Sequence, residues 1–384
     1  RHLDAVFERI GVTDAASDWN GPHQRLKEAC DRLGYDFKVV TRNADPDRYD
    51  AETAGYLGFG DQSGSKQGTL KTYLQDAADR GAQIVVRCRA ERVLVENGRA
   101  TGVEGTYQDE AGRHARVVVR APQVVVAGGS LESPALLLRS GIGGPAAGDY
   151  LRLHPATAVV GFYDQEQKGW WGAPQTGLSD QYAVLEGGYG FLIVGTHASP
   201  GVTGSATPWE TGRQHKEMIL RSPVAASFIF LIRDRGHGRV TIDSAGNARH
   251  HYDLADELDL RNFRRGLTEM VRLHDAAGAQ EVATLHRRLT RWRRGEDLAA
   301  FTDRVEQGPL TPYEHATFAL HQMGSCRMGN DPAISVADPW GELHDVKGVW
   351  IGDASAFPTA SGTNPMVTTM ALARRTAGAM EAAS

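Results

Sequence analysis

The sequence predicts a mixed α/β fold in which an incomplete Rossmann-like domain is interrupted by an antiparallel-sheet domain. First, the apolar run Val124–Ala127 leads through Gly128 and Gly129 into an apolar helix, an order typical of parallel sheets. Second, residues 151–320 contain short strand-like runs separated by Gly, Pro and Asp turns, as antiparallel sheets do. Third, a glycine-rich composition returns at residue 321. We therefore expect one domain from 1–150 and 321–384, and a second from 151–320.

The first segment is expected to contain one helix followed by short strands. Thr69–Arg80 places its apolar side chains on one helical face, and Gly81 can end the helix. Turn sequences such as Asn97-Gly98 separate the strand-like runs. The predicted strands are Gln83–Cys88, Arg92–Val95, Val103–Tyr107, Ala115–Arg120 and Gln123–Ala127.

The middle segment is expected to combine four strands with a long amphipathic helix between Asp256 and Ala277. The last segment is expected to close with a helix that begins at Pro365, since Asn is a preferred N-cap and Pro a preferred first helical residue. The predicted strands of the middle segment are Thr157–Phe162, Phe191–Val194, Ser227–Ile232 and Arg239–Asp243.

Charge and composition argue against several kinds of partner. A formal charge of −5 gives no reason to expect nucleic-acid binding. One arginine-rich stretch, residues 286–294, is predicted to be a solvated helix face, with an anionic-partner site as the alternative. The longest apolar stretch, Ala225–Ile232, is far too short to cross a bilayer, so no transmembrane segment is expected.

Cysteine and histidine spacing predicts no metal site. Cys30, Cys88 and Cys326 lie far apart and form no CxxC pair, which also argues against a disulfide framework. The N-terminus lacks the apolar core of a signal peptide. We expect a soluble chain, cytoplasmic rather than secreted.

Two segments near the C-terminus carry the side chains best suited to chemistry. HQMGSCRMG (His321–Gly329) and GDASAFPTASGTNPM (Gly352–Met366) offer an imidazole, a carboxamide and a carboxylate among small residues. Small residues would let a redox cofactor approach the backbone closely. The functional prediction depends on whether His321 and Asn364 face the same point. The alternative is that Asn364 only caps the helix that follows it.

These motifs resemble those of a known family. GSLESPALLLRSGIG (Gly129–Gly143) resembles the second signature of the glucose-methanol-choline (GMC) flavin oxidoreductases, and the two C-terminal segments resemble that family's histidine and active-site motifs. FGDQSGSKQGTLKTYL (Phe59–Leu74) and LHP (Leu153–Pro155) resemble the long-chain fatty alcohol oxidase branch. The resemblance implies FAD as cofactor and an alcohol as substrate.

The resemblance also implies roles for individual residues. His321 matches the polar residue above the flavin ring that receives the alcohol proton, and Asn364 matches its partner. Asp353 matches the acidic residue that hydrogen-bonds the ribityl chain. Cofactor contacts are implied further for Gly128, Gly129, Ala90, Pro365 and Met366, the last two at the start of a helix aimed at the flavin.

The residue chemistry suits these roles. Removing hydride from an alcohol carbon requires an alkoxide-like oxygen, so a neighbouring group must take the hydroxyl proton, and imidazole suits this near neutral pH. A carboxamide can donate to the same oxygen without changing its charge. Accepting the hydride requires a cofactor, because no side chain can do so.

One motif of the family is not found. GFGDQS (Gly58–Ser63) has Ser where the third glycine of a GxGxxG fingerprint belongs. We therefore expect the cofactor domain to need a missing N-terminal segment or a completing subunit. The predicted function is FAD-dependent oxidation of a primary or lipophilic alcohol to the carbonyl. The alternatives are a non-catalytic truncated module that binds a partner or apolar ligand, a sterol oxidase, and a quinone-linked dehydrogenase.

Overall fold

The computed structural model describes residues 1–288 and 290–383. The α-helices are α1 His2–Arg9, α2 Gly21–Leu33, α3 Ala51–Ala54, α4 Tyr73–Asp79, α5 Gly129–Ser140, α6 Pro200–Ala206, α7 Gly212–Leu220, α8 Glu257–Ala276, α9 Leu298–Gln307 and α10 Met366–Ala382. Short 3₁₀ turns lie at Leu57–Phe59, Thr69–Lys71, Glu186–Gly188, Ser222–Val224 and Ala354–Ala356.

The β-strands form several separate sheets. Those in the first 150 residues are β1 Val12–Thr13, β2 Lys38–Val39, β3 Arg42–Asn43, β4 Cys88–Glu96, β5 Arg99–Gln108, β6 His114–Arg120 and β7 Val124–Val126. The remainder are β8 Asp149–Leu151, β9 Ala156–Phe162, β10 Gly177–Ser179, β11 Phe191–Gly195, β12 Ala225–Ile232, β13 Gly238–Ile242, β14 Ala248–His251, β15 Glu281–Thr284, β16 Arg291–Arg293 and β17 Val349–Ile351.

A seven-stranded sheet forms the larger core. Its order is β16-β15-β9-β12-β11-β10-β2, and every neighbouring pair is antiparallel. Both faces of its central strands are covered, since every residue of β9 and β11 is buried. The prediction of a mixed fold that contains an antiparallel sheet is confirmed.

Two helices cover one face of this sheet. Helix α8 buries Phe263 and Leu267, and α2 buries Leu26 beside them, in one cluster with Phe228 and Phe230 of β12. The Asp256 side chain caps α8, because it accepts hydrogen bonds from the N–H groups of residues 258 and 259. Helix α8 ends at Ala276, so the predicted long helix between Asp256 and Ala277 is confirmed at both ends.

The smaller part of the fold carries the parallel pairing. Strands β7 and β17 form a two-stranded parallel sheet, with Val125 opposite Trp350. Helix α5 follows β7 directly, as the βα prediction required. A three-stranded antiparallel sheet, β4-β5-β6, contacts α5, and the closing helix α10 packs against α1.

The structure differs from the sequence predictions in three places. Of the predicted strand Gln83–Cys88 only Cys88 is in a strand, and the side chains of Ile84, Val85 and Val86 are more than half exposed. An isolated apolar run forms a strand only when a partner strand is available. The predicted helix Thr69–Arg80 is divided into a 3₁₀ turn and the short α4.

The third difference concerns the division into domains. Helix α2 and strand β2 belong to the first segment of the sequence but pack into the seven-stranded sheet and its core. Strand β13, from the middle segment, packs instead against α5. The apolar contacts of α2 with α8, and not its place in the sequence, decide which part of the fold it joins. The part of the chain that the structure describes contains no helix both long and apolar enough to span a bilayer.

Candidate active site

A cavity of about 900 Å³ lies between α10 and one end of the seven-stranded sheet. Its walls are mostly apolar, with Leu178 and Val194 from the sheet and Met366 and Val367 from the start of α10. The positively charged residues Arg42, Lys66 and Arg374 also line it, and none of the described residues that line it carries a carboxylate. The cavity therefore suits an apolar ligand with an electron-rich group.

His321 and Asn364 meet at the wall of this cavity. The Nε2 atom of His321 lies 3.2 Å from Nδ2 of Asn364, and both residues line the cavity. His321 follows the extended segment that pairs with β9 through Phe318, whereas Asn364 directly precedes α10. The predicted convergence of an imidazole and a carboxamide on one point is confirmed.

Asn364 does not cap the closing helix. Helix α10 begins at Met366 and its N-cap is Pro365, and among the described residues no side chain caps its first turn. The expected start of the helix at Pro365 is wrong by one residue. The alternative that Asn364 serves only as a cap is also wrong, because the N-cap is Pro365. The free N–H groups of the first turn lie beside the cavity, where the helix dipole favours negative charge.

A second histidine, His154, lies behind His321. The Nδ1 atoms of the two rings are 3.2 Å apart, and the rings meet edge to face. Nε2 of His154 accepts a hydrogen bond of 3.0 Å from the backbone N–H of Gly362. Burial lowers the pKa of His154 to about 3, and the proximity of the His321 ring and the Arg233 guanidinium adds to the effect. Burial also lowers the pKa of His321, which favours the neutral form of that ring.

Asp353 organises the turn that follows the two parallel strands. Its Oδ2 accepts hydrogen bonds from the N–H of Gly129, at 2.7 Å, and from the Ser133 hydroxyl. Its Oδ1 accepts from both the N–H and the hydroxyl of Ser355, at 2.8 and 2.5 Å. The carboxylate is buried and holds the turns after β7 and β17 together. Its predicted contact with a ribityl chain stays a prediction.

The glycines before α5 occupy the same turn. Gly129 has a φ of +81°, and a Cβ atom placed there would meet nothing within 4 Å, so the backbone is open to a ligand. The N–H of Gly128 donates to the Ser133 hydroxyl at 2.9 Å. Ala90 lies elsewhere: it is an exposed residue of β4 whose carbonyl accepts from Arg139, near the other end of α5. The structure thus joins the glycines to Asp353 but leaves Ala90 apart.

Sequence reasoning missed part of this site. His154 was named only as part of the LHP segment, with no role of its own. Lys66 was included only in the Phe59–Leu74 segment, yet it lines the cavity and donates to Oδ1 of Asn43 at 2.6 Å. Burial lowers the pKa of Lys66. Neither contact can be read from spacing along the chain.

The arginine-rich stretch is paired with acids rather than free. Glu281 lies 3.5 Å from both Arg291 and Arg293, and 3.0 Å from Arg221. Glu314 pairs with Arg287 at 2.9 Å. These ion pairs favour the interpretation of a solvated charged surface over an anion site, although the stretch includes strand β16 rather than a helix.

Comparison with known proteins identifies relatives along nearly the whole chain. The long-chain-alcohol oxidase FAO4A of Arabidopsis thaliana is 33% identical over 392 residues, covering 97% of this chain and 52% of the relative. The long-chain-alcohol oxidase FAO3 of the same plant is 31% identical, with the same coverage of 97% and 52%. The chain spans about half the length of these curated relatives. Nothing in the comparisons points to a completing subunit.

Solved structures share the fold. Pyridoxine 4-oxidase from Mesorbium loti superposes with a TM-score of 0.67 at 18% identity, covering 94% of this chain and 69% of that structure. Formate oxidase of Aspergillus oryzae superposes with a TM-score of 0.66 at 14% identity, covering 94% and 70%. Two sequence models described as GMC oxidoreductase match residues 1–156 and 234–373. With the turn at Asp353 and the pair at His321 in place, the chain belongs to the GMC oxidoreductase family.

Proposed function

We propose that this chain carries the alcohol-oxidising half of an FAD-dependent enzyme, which converts a primary or lipophilic alcohol to the carbonyl. The observation that carries the proposal is the pair of His321 Nε2 and Asn364 Nδ2, 3.2 Å apart at the wall of a mostly apolar cavity. The long-chain-alcohol oxidases among its relatives support the choice of substrate class.

The pair is suited to holding a substrate oxygen. Two nitrogen atoms at this separation can both contact one oxygen atom, which would lie at hydrogen-bond distance from each. Fixed donors stabilise the negative charge that develops on that oxygen as hydride leaves the carbon. The hydroxyl proton would pass to His321 at Nε2, because Nδ1 already contacts His154.

The residues around the cavity fit the ring end of a flavin. FAD, when bound, supplies the acceptor for the hydride. The uncapped first turn of α10 would stabilise negative charge on the reduced ring through its N–H groups. The open backbone at Gly129 leaves room for a ligand to approach closely, and Gly352, Pro365 and Met366 line the cavity.

The alternatives differ in what the cavity holds. A sterol oxidase or quinone-linked dehydrogenase would use the same pair on another alcohol or with another electron acceptor. A non-catalytic module would bind an apolar ligand or partner and no flavin. The apolar walls and the lining without a carboxylate fit any of these, whereas the donor pair favours oxidation.

Binding and reduction of flavin test the proposal in two steps. The purified chain, and the same chain within its full-length gene product, would be mixed with FAD and examined for flavin absorbance that remains after desalting. Primary alcohols of increasing chain length would then be added without oxygen. Bleaching that strengthens with chain length supports the proposal. Retained FAD that no alcohol bleaches, or no retained FAD in the full-length protein, overturns it.

A further inference from the structure

We infer that Arg42 and Lys66 form an anion-binding subsite in the cavity that His321 and Asn364 also line, and that this subsite takes the carboxylate of the substrate. The substrate would then be a hydroxy acid with an apolar carbon chain. The inference rests on the proposed function for the reaction and names the class of alcohol. The subsite itself can be tested without flavin.

The two cations come from neighbouring segments of backbone. Strand β3 carries Arg42, and the segment that follows it pairs with residues 65–67 through an antiparallel bridge between Ala44 and Lys66. Both cationic side chains are half-buried and line the cavity. The backbone pairing therefore places two positive charges close together at the cavity wall.

Neutral groups hold the two side chains in place. The Arg42 guanidinium donates to the carbonyl of Pro174. The Lys66 ammonium donates to Oδ1 of Asn43 at 2.6 Å, and that buried amide in turn donates to the carbonyl of Gln67 at 2.7 Å. A guanidinium carries five N–H donors and an ammonium three. Donors therefore remain on both side chains after these contacts.

No carboxylate of residues 1–288 and 290–383 forms an ion pair with Arg42 or Lys66. Asp61 lies close to Lys66, but its Oδ2 accepts from the backbone N–H of that residue, at 2.5 Å, rather than from the ammonium. Asp45 lies 3.7 Å from Arg48 instead. The acids nearest to the two cations along the chain thus have other partners.

Burial and mutual repulsion act on the two cations. Burial lowers the pKa of Lys66, the positive charge of Arg42 lowers it further, and the smaller influence of Asp61 opposes this. Burial also lowers the pKa of Arg42. Like charges that are partly removed from water cost free energy until an anion joins them. Because no described residue of the cavity lining carries a carboxylate, that anion must come from a ligand.

The apolar walls of the cavity decide which anion fits. Leu178, Val194 and Met366 line the same space, so the anion would arrive on an apolar chain. A carboxylate matches the fork of a guanidinium and can accept from an ammonium beside it. Such a ligand would be held at both ends, its hydroxyl by the histidine–asparagine pair and its carboxylate by the two cations. A plain fatty alcohol would leave the cations without a counter-ion.

Binding to the flavin-free chain tests the subsite. Dodecanoate and dodecanamide share one carbon chain and differ in charge, and their affinities would be measured by displacement of the neutral dye Nile red. We expect dodecanoate to bind about 10–100-fold more tightly, the usual gain from hydrogen bonds to a charged group. Added salt should reduce this difference. Equal affinities of the acid and the amide, or no binding of dodecanoate, overturn the inference.

Two variants and a control locate the effect in the cavity. Arg42→Gln and Lys66→Gln remove the charge but keep an amide that can donate to Pro174 or Asn43. Each should weaken dodecanoate binding about 10-fold or more and leave dodecanamide binding unchanged. Arg374→Gln, at an exposed cation of the same cavity, should change it less than about 5-fold. Unchanged dodecanoate binding in both subsite variants overturns the inference. If neither variant folds, the acid–amide comparison in the wild type decides.

Flavin reduction in the full-length protein separates this inference from the proposed function. With ω-hydroxydodecanoate we expect a lower KM than with 1-dodecanol, and Arg42→Gln should remove the difference. Equal KM values for both alcohols overturn the inference and leave the proposed function standing. Dodecanoate bound at the two cations without reduction by any alcohol defeats only the proposed function. Weaker FAD binding in Arg42→Gln, with dodecanoate binding unchanged, would assign the cations to the cofactor and overturn the inference.

Discussion

The Asp353 carboxylate accepts a hydrogen bond of 2.7 Å from the backbone N–H of Gly129, although 224 residues separate them in the sequence. The contact joins the turns that follow two parallel strands, β7 and β17. It fixes the open backbone of Gly129 relative to the segment that leads toward Asn364. Gly352, which lines the cavity, directly precedes this buried carboxylate and is held by the same turn.

Replacing that charge should weaken the fold as well as the site. In Asp353→Asn one amide nitrogen must face the donors that now surround both oxygens, so at least one hydrogen bond is lost. We expect the free energy of unfolding to fall by about 1–3 kcal/mol, measured by urea denaturation. Asp14→Asn, at an exposed carboxylate, is the control and should change stability by less than about 0.5 kcal/mol. Equal stability of the two variants would contradict this role.

Removing the imidazole of His321 should affect reaction more than cofactor binding. In the full-length protein, His321→Ala should slow flavin reduction by alcohol by about 10²–10⁴-fold, the usual contribution of a positioned acid or base. Stopped-flow absorbance gives the rate, and titration with FAD gives the affinity. Equal losses in both quantities would argue that His321 only shapes the cavity.

Changing the charge beside the substrate oxygen should also slow reduction. Asn364→Asp places a carboxylate 3.2 Å from His321 Nε2, where negative charge is expected to develop on the substrate. We expect slower flavin reduction than in the neutral variant Asn364→Ser, which removes the amide without adding charge. Rates that do not differ between the two variants would speak against a substrate oxygen at this position.

Acid should destabilise the fold through its buried histidines. Burial lowers the pKa of His274 to about 3, and the ring is stacked on Phe228 with hydrogen bonds at both nitrogens. Below pH 6.5, the ordinary pKa of histidine, this ring binds a proton in the unfolded chain but stays neutral in the folded one. The free energy of unfolding therefore decreases as pH falls. Each such histidine should contribute about 1.4 kcal/mol per pH unit between pH 6 and 4.

The contribution of His274 can be isolated by substitution. The pH dependence of the unfolding free energy in His274→Gln should be shallower than in the wild type by one proton. His114→Gln, at an exposed residue of β6, should leave the slope unchanged. Identical slopes for the wild type and His274→Gln would show that this ring titrates in the folded protein.

Close packing around the same ring predicts a second stability difference. A Cβ atom at Gly161 would lie 2.4 Å from Nδ1 of His274, so Gly161→Ala requires the buried ring to move. We expect a loss of about 1–3 kcal/mol, typical of overpacking a core. Gly201→Ala, in helix α6 with open space at its Cβ position, should be neutral or gain up to about 1 kcal/mol. Chemical denaturation of both variants makes the comparison.

The sequence predicted those helices and strands whose own residues supply the apolar face and the capping or turn residues. Helix α8 carries its apolar face and its Asp256 cap in its own sequence, and its bounds agree with the prediction. Strands β9, β11 and β12 likewise read as apolar runs bounded by turns. Residues 83–87 show where this kind of prediction fails. An apolar run favours a strand, but its sequence does not say whether a partner strand is available.

Site residues could be predicted where the family resemblance names them together. Those that join the site only through contacts in the folded structure could not. His321 and Asn364 could be named together because both stand in family motifs. His154 lies 167 positions before His321, and nothing in either local sequence indicates that their Nδ1 atoms meet. The packing of α2 on α8 was missed for the same reason, since it depends on a tertiary contact between distant segments.

The parallel pairing of Val124–Val126 with Val349–Ile351 has a consequence for synthesis on the ribosome. The intervening sheet can assemble from its own hairpins while the chain is still being made. The earlier strand of the parallel pair, by contrast, must wait for β17, which follows more than 200 residues later in the chain. During that interval the edge of β7 has no partner strand and is open to pairing with other chains. A growing chain of this kind should depend on chaperones until β17 has been synthesised.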